Sequence, residues 1–502
     1  MSGAATTPES GAPIPQYSQL LGHPKPLWML FMTEFWERFA FYGMRWALAL
    51  YIVAQFYAGD SAGEAPASRL YGAYLALVYA AALFGGYVAD KIIGYQRSIL
   101  LGAVVMAIGL FMIVVPNELV FKLGLATIIA GNGLFKPNIS TMVGQLYSSG
   151  DTRRDAGFTL FYMGINAGAF IAPILTGWLA ERMFGGSPEL PAYKVVFIAS
   201  GIGMVISLIW FWLGRDQLKG VGRAPDGDGG KRNLLYVFAG VLVAIPVIYF
   251  LLSIDAGNLQ WLLTALFIGL CVLILKEGFR DGAVRRDMAI AMLIIFAFNV
   301  LFWMFFEQAG SSFNFLAQNI VERDLGGWIF PVGWFQSVNS LAIITLAPLV
   351  AWMWIKMGSR NPSIPRKFGL GIIFNGLAFL LLMFALSSLV DPQTLKIPFW
   401  TLFMVYVIQS VGELFLSPIG LSMVTKLAPV RLVGFGMGGW FLSTAIGNNL
   451  SGIFASHVSG ETGMTVDSAL SGYTFGFWVL LGSGVLLFLI APLIQKLMHG
   501  VK

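Results

Sequence analysis

Long apolar runs alternate with short polar breaks along the whole chain, and the runs have the length of membrane spans. A bilayer span needs about 20 apolar residues. Six such runs come first, at residues 27–57, 68–89, 98–115, 121–147, 156–182 and 193–213. A Gly- and charge-rich linker, 214–232, leads into two plain apolar segments at 233–252 and 259–275. Six more runs follow, the first from about residue 288, then 328–356, 368–389, 398–426, 432–457 and 473–497. The pattern predicts an all-α polytopic membrane protein with fourteen transmembrane helices. Its expected divisions are a tail (1–26), a six-helix bundle (27–214), a linker with an inserted two-helix hairpin (215–287) and a second six-helix bundle (288–502). The hairpin carries no buried charge and is read as an accessory insertion outside the transport path. Segment 368–389 is read as featureless. Two basic loops, 90–97 and 356–367, occupy the same place in each half, between its second and third spans. Transporters use two such halves, with the substrate site near the membrane midplane.

Composition agrees: 57% of the 502 residues are hydrophobic and 11% charged. The loops leave no room for a soluble catalytic domain, and no metal cluster or nucleophile pair is visible, so an enzyme is not expected. The first 26 residues are polar and lack an apolar leader core, so the first span is expected to act as its own signal. The single cysteine, Cys271, excludes intrachain disulfides. Placing the N-terminus in the cytoplasm puts 22 of the 31 Lys and Arg on the cytoplasmic side and 6 outside. This satisfies the positive-inside rule with both termini cytoplasmic. The net charge of +6 therefore reports topology, and no basic patch interleaved with aromatics suggests nucleic-acid binding.

The candidate chemistry lies within the spans. Residues 33–45, TEFWERFAFYGMR, carry Glu34, Glu37, Arg38 and Arg45. At about 100° per residue, Glu34, Arg38, Tyr42 and Arg45 share an arc of roughly 80°, which Glu37 widens to about 140°. Each charge at a helix centre costs roughly 3 kcal/mol on insertion scales, so the stripe must face partners or water. It is either a structural ion-pair network or a proton and substrate site. In the fourth span, GNGLFKPNIS sets Lys136 beside Pro137, which invites a kink. That lysine either meets a ligand carboxylate or takes a gating role, or it snorkels or forms a structural pair. In the fifth, Asn166 sits among small residues and suits helix packing or substrate contact equally. Glu307 and Glu413 complete four embedded anions against three cations, which leaves one carboxylate to take up a proton. The three histidines lie in tails or at membrane edges, so carboxylates are expected to do the proton work. The segment GGYVADKIIGYQR, 85–97, with Asp90 and Arg97, reads as a hinge or as an ordinary cytoplasmic turn.

These residues resemble a known family. Residues 34–43 are similar to the E-x-x-E-R-F-x-Y-Y-G motif of bacterial proton-dependent oligopeptide transporters of the major facilitator superfamily, with Phe41 at the first tyrosine. Residues 86–97 are similar to the superfamily loop signature. Residues 161–170 are similar to F-Y-x-x-I-N-x-G, with Ala169 where serine is common. The resemblance covers nearly the whole chain and implies the major facilitator fold and proton-coupled import of di- and tripeptides by alternating access. By that resemblance, Glu34, Glu37, Arg38 and Glu307 serve proton coupling. Glu413 binds the peptide amine, and Arg45 and Lys136 its carboxylate. Asn166 and Asn339 hold backbone amides, while Tyr42, Tyr79, Trp440 and Thr444 line side-chain pockets. Lys136 with Glu413, Arg45 with Glu307, and Asp90 with Arg97 act in gating. Animal members carry a histidine in the second span; this sequence has none. The expected setting is the bacterial inner membrane, with protons as the coupling ion, no other cofactor, the lipid bilayer as surroundings and a functional monomer. The alternative is a proton-coupled carrier of nitrate, a drug or another small anion on the same fold.

Overall fold

The apolar runs become helices because Leu, Ile, Val, Phe and Ala in unbroken stretches leave intrahelical bonds as the way to satisfy a backbone out of water. The computed structural model describes residues 14–148, 150–224, 230–429 and 433–501, apart from the Leu421 side chain. The first thirteen residues of the expected tail lie outside these. The helices are α1 (Lys25–Phe56), α2 (Glu64–Val88), α3 (Tyr95–Met112), α4 (Glu118–Gly144), α5 (Arg154–Trp178), α6 (Tyr193–Gly214), α7 (Lys231–Ser253) and α8 (Ala256–Arg280). They continue with α9 (Ala283–Phe306), α10 (Ser312–Asn319), α11 (Trp334–Met357), α12 (Ile364–Ser388), α13 (Phe399–Leu427), α14 (Val433–Ser459) and α15 (Val466–Leu497). All fourteen expected spans are present as long helices. The eight-residue α10 was not expected, and α9 starts at Ala283, five residues before the boundary read from the sequence. Thirteen of the fourteen long helices, among the described residues, are long and apolar enough to cross a membrane. The other, α14, is long enough at 27 residues, but buries Ser443, Thr444, Asn448, Asn449 and Ser451.

The chain forms two compact units. The first holds residues up to Arg45 and from Leu77 to Ser253. Here α3 lies along α4, with α6 on the far side of α3 and α7 on α4. The inner part of α1 meets α5 and α6 through small residues. A Cβ on Gly168 would stand 2.5 Å from the Phe35 carbonyl oxygen, and Ser207 Oγ donates to the Thr33 carbonyl at 2.7 Å. Helix α7 contributes Val241 to a cluster with Val105, Ala130 and Leu134. On the polar rim, β1 (Gln19–Leu20) pairs antiparallel with β2 (His23–Pro24). That turn is tied down by His23 Nδ1 to Tyr147 OH at 2.8 Å and by Arg153 donating to Gln19 Oε1 and the Gly22 carbonyl. Arg153 also hydrogen-bonds Asp151, which holds that carboxyl below the usual range.

The second unit takes residues 46–76 and everything from Ile254 onward. Its axis is α12 packed on α15 and α13, with α9 against α14. The segment 46–76 is bound in closely. A Cβ on Gly72 would lie 2.6 Å from Gly452 Cα, and Asn314 Nδ2 donates to the Trp46 carbonyl at 2.8 Å. Helix α8 is fastened by Asn449, whose amide donates to the Ala256 carbonyl and to Gln260 Oε1, both at 3.0 Å. Nor is α12 featureless: buried Asn375 accepts from Gln409 at 2.9 Å and donates to the Phe302 carbonyl.

Candidate functional site

On α1, Glu34, Glu37 and Arg38 are 3%, 0% and 3% exposed. Glu37 and Arg38 are neighbours in sequence, a spacing that usually points side chains apart. The arginine folds back so that its Nε bonds Glu37 Oε2 and its Nη2 donates to Oε1 at 2.6 Å. Glu34, one turn earlier, has Oε1 3.4 Å from Arg38 Nε. Such a fork-to-carboxylate pair is the arrangement that retains charge away from water. The Arg38 guanidinium also lies over the Phe41 ring, 4.8 Å from its centroid. The ring at the position where the motif has tyrosine thus still supports the cation, without a hydroxyl.

Arg45 and Tyr42 are half-buried two turns further along α1, with the guanidinium 5.4 Å from the Tyr42 centroid. Lys136, half-buried on α4, has its ammonium 4.6 Å from the Tyr79 centroid and acts electrostatically on Glu34. Pro137, inside α4, is where α2 comes in. Proline lacks the N–H that the Gly133 carbonyl would receive, and Gly85 of α2 backs onto that oxygen, where a Cβ would stand 1.6 Å away. Asn138 Nδ2 then donates to the Gly85 carbonyl at 3.0 Å. The first unit therefore brings Glu34, Glu37, Arg38, Arg45, Tyr42, Tyr79 and Lys136 onto α1, α2 and α4. Asn166, 7% exposed, donates back to the Tyr162 carbonyl at 3.0 Å. In the 85–97 segment, residues 89–93 form a π turn and Gly94 takes φ +82°. Asp90 is exposed there and pairs with Lys91 at 2.7 Å.

In the second unit Asn339 on α11 donates to Glu413 Oε2 on α13 at 3.0 Å and to Ser410 Oγ at 2.9 Å. Glu307 caps the end of α9, 6% exposed, and its carbonyl accepts from Ser451 at 2.6 Å. Trp440 on α14 is 6% exposed and sits edge-on to Phe296 and Phe368. Thr444 donates to the Trp440 carbonyl and accepts from Asn299 at 3.2 Å, so its hydroxyl serves the α9–α14 contact.

Several participants escaped the sequence reading. Asn132 donates to Glu37 Oε1 at 3.3 Å. Asn299 bridges Ser443, Thr444 and Trp303. Glu64, 3% exposed at the start of α2, accepts from Asn319 and from the Met464 N–H, each at 2.8 Å. The signal for Asn132 and Asn299 was an isolated amide in an apolar field, whereas Glu64 stands among polar residues at a helix start. Among the described residues, no group of three or more His, Cys, Asp or Glu could hold a metal ion.

Comparison with known proteins gives one answer. An uncharacterized transporter of Bacillus subtilis (strain 168) is 33% identical over 500 residues, covering 97% of each chain. The dipeptide and tripeptide permease A of Yersinia pestis is 36% identical over 86% of this chain and 84% of its own length. Among solved structures, a peptide transporter POT in complex with sulfate superposes with a TM-score of 0.83 at 33% identity, over 97% of this chain and 98% of its own. A POT family transporter in complex with a thioalcohol-conjugated peptide gives 0.80 at 31%, over 96% and 99%. The model of the POT family matches residues 96–466, and with relatives this similar over nearly the full length the chain belongs to the POT family.

Proposed function

We propose that this protein imports di- and tripeptides into a bacterial cell together with protons, by alternating access, as a monomer with both termini in the cytoplasm. The observation that carries the reading is the buried Glu34–Glu37–Arg38 cluster with Lys136 beside it. The names of its relatives and the peptide held by a structural neighbour support it, and they do not favour a nitrate or drug carrier. In this reading the peptide amine goes to Glu413 and the carboxylate to Arg45 and Lys136. Asn166 and Asn339 meet backbone amides, and Tyr42, Tyr79, Trp440 and Thr444 shape the side-chain pockets. Glu34, Glu37, Arg38 and Glu307 carry the proton coupling. Asp90 and Arg97 gate, together with the charges that the peptide releases as it binds. A zwitterionic dipeptide brings no net charge, so each proton carries one charge inward. That yields about 2.3 kcal/mol per 100 mV, or roughly 40-fold accumulation.

The test is uptake into proteoliposomes under an acid-outside gradient, with dialanine, free alanine and end-blocked dialanine as competitors. Dialanine alone should compete and the gradient should drive accumulation. Glu413→Ala and Lys136→Ala should abolish uptake, and Glu37→Gln should lose driven accumulation while keeping counterflow. Uptake indifferent to the gradient, or to blocked peptide ends, would end the reading.

A further inference from the structure

Asn132 lies on α4 one turn before Lys136, between Gly131 and Gly133. A Cβ on Gly131 would stand 2.7 Å from the Gly102 carbonyl oxygen of α3, and one on Gly133 2.8 Å from that of Ala81 on α2. With two backbones seated against its flanks, this turn of α4 has little freedom to shift, and the Asn132 side chain reaches α1. It is 0% exposed, and its Nδ2 donates to Glu37 Oε1. Its Oδ1 is buried and finds no donor. The two carboxylates of the cluster consequently differ. Glu37 uses both oxygens on Arg38 and takes a further bond from Asn132. Glu34 reaches Arg38 through one oxygen, and its Oε2 is buried without a donor. Among the described residues, Arg38 on α1 and Lys136 on α4 act on Glu34, and Tyr42 acts on Arg38. On the α5 side, Gly168 backs onto the Phe35 carbonyl and the Arg38 Cβ.

We propose that Asn132 is a positioning residue for proton coupling: its amide holds the Glu37 carboxylate in its seat on the Arg38 guanidinium, and driven uptake depends on that seat. This rests on the proton-coupled uptake proposed above. Asn132 touches neither peptide nor proton. It acts through Glu37, whose carboxylate it fixes in place by a hydrogen bond.

The test compares Asn132→Leu with wild type in proteoliposomes, measuring gradient-driven dialanine uptake and counterflow side by side. Losing the donor should cut driven uptake about tenfold, while counterflow, which moves no net proton, should fall far less. Asn132→Gln, which keeps the amide, should recover part of the loss. If Asn132→Leu does not elute as a monodisperse protein, the near-isosteric Asn132→Asp replaces it, with the same selective loss expected. Driven uptake equal to wild type, or parallel loss of both activities, overturns the role of Asn132. Wild-type uptake indifferent to the gradient overturns the proposed function and this inference with it.

Discussion

The two compact units share a construction and differ in what they bury. In each, the third and fourth spans meet through facing glycines: Gly102 against Gly131 on α3 and α4, Gly371 against Gly412 on α12 and α13. On that common frame the first unit gathers ions into one buried cluster, Glu34, Glu37 and Arg38. The second also buries Glu64, Glu307 and Arg323. There Glu64 and the half-buried Glu413 accept from the amides of Asn319 and Asn339, in a unit rich in neutral sets such as Asn299–Ser443–Thr444, Asn375–Gln409 and Gln308–Ser451. Ions in a dry interior are costly unless matched, and their balance changes when a proton binds. Amides keep the same bonds whatever the pH. The contrast is between a close cluster of opposite charges and acids held by neutral donors.

The largest effect is expected at Arg38. Arg38→Met leaves two buried carboxylates without their cation, a loss of about 3–5 kcal/mol. Thermal unfolding of the purified protein should drop accordingly, and gradient-driven uptake should vanish. An Arg38→Met protein as stable as wild type would erase the distinction between the units. Next come the close backbone approaches, which should be equally intolerant in both. Gly85→Ala in the first unit and Gly72→Ala in the second each drive a methyl into backbone and should cost at least about 1–3 kcal/mol in the same unfolding assay. Asn299→Leu sharpens the comparison. Removing its bonds to Ser443, Thr444 and Trp303 should cost about 1–3 kcal/mol, yet leave the pH profile of uptake where it was. A shifted profile would show the neutral donors bearing on proton coupling too. The smallest effect is at the rim. Asp151→Asn weakens the clasp on Arg153 by less than about 1 kcal/mol. Because the Asp151 carboxyl is held low, its contribution is present at neutral pH and lost as pH falls through that lowered value. The stability gap between wild type and variant, followed by proteolysis of residues 14–24, should therefore close in acid.

Much of this was legible in the sequence because bilayer thickness imposes a length on every span and desolvation makes each embedded charge conspicuous. Hence all fourteen helices, the charged stripe of α1 and the isolated Lys136 could be read directly. What escaped was polar but uncharged. Asn132, Asn299 and Asn375 are modest signals in a run of apolar letters, and only the fold says which carbonyl or carboxylate each one reaches. Glu64 was passed over for another reason: it stands at a helix start, where an acid is ordinary. Helix α10 was missed because eight residues beside a buried loop give no periodicity to count.

One consequence follows for how the chain is made. A helix as rich in hydroxyls and amides as α14 is a poor candidate for leaving the insertion machinery alone, because its side chains lose water before they gain bonds. The bonds it needs are offered by Gln260 and the Ala256 carbonyl on α8 and by Asn299 on α9, both synthesised earlier. Deleting the hairpin that looked dispensable for transport should therefore lower the amount of protein reaching the membrane, read by immunoblot of membrane fractions, before it alters uptake per molecule.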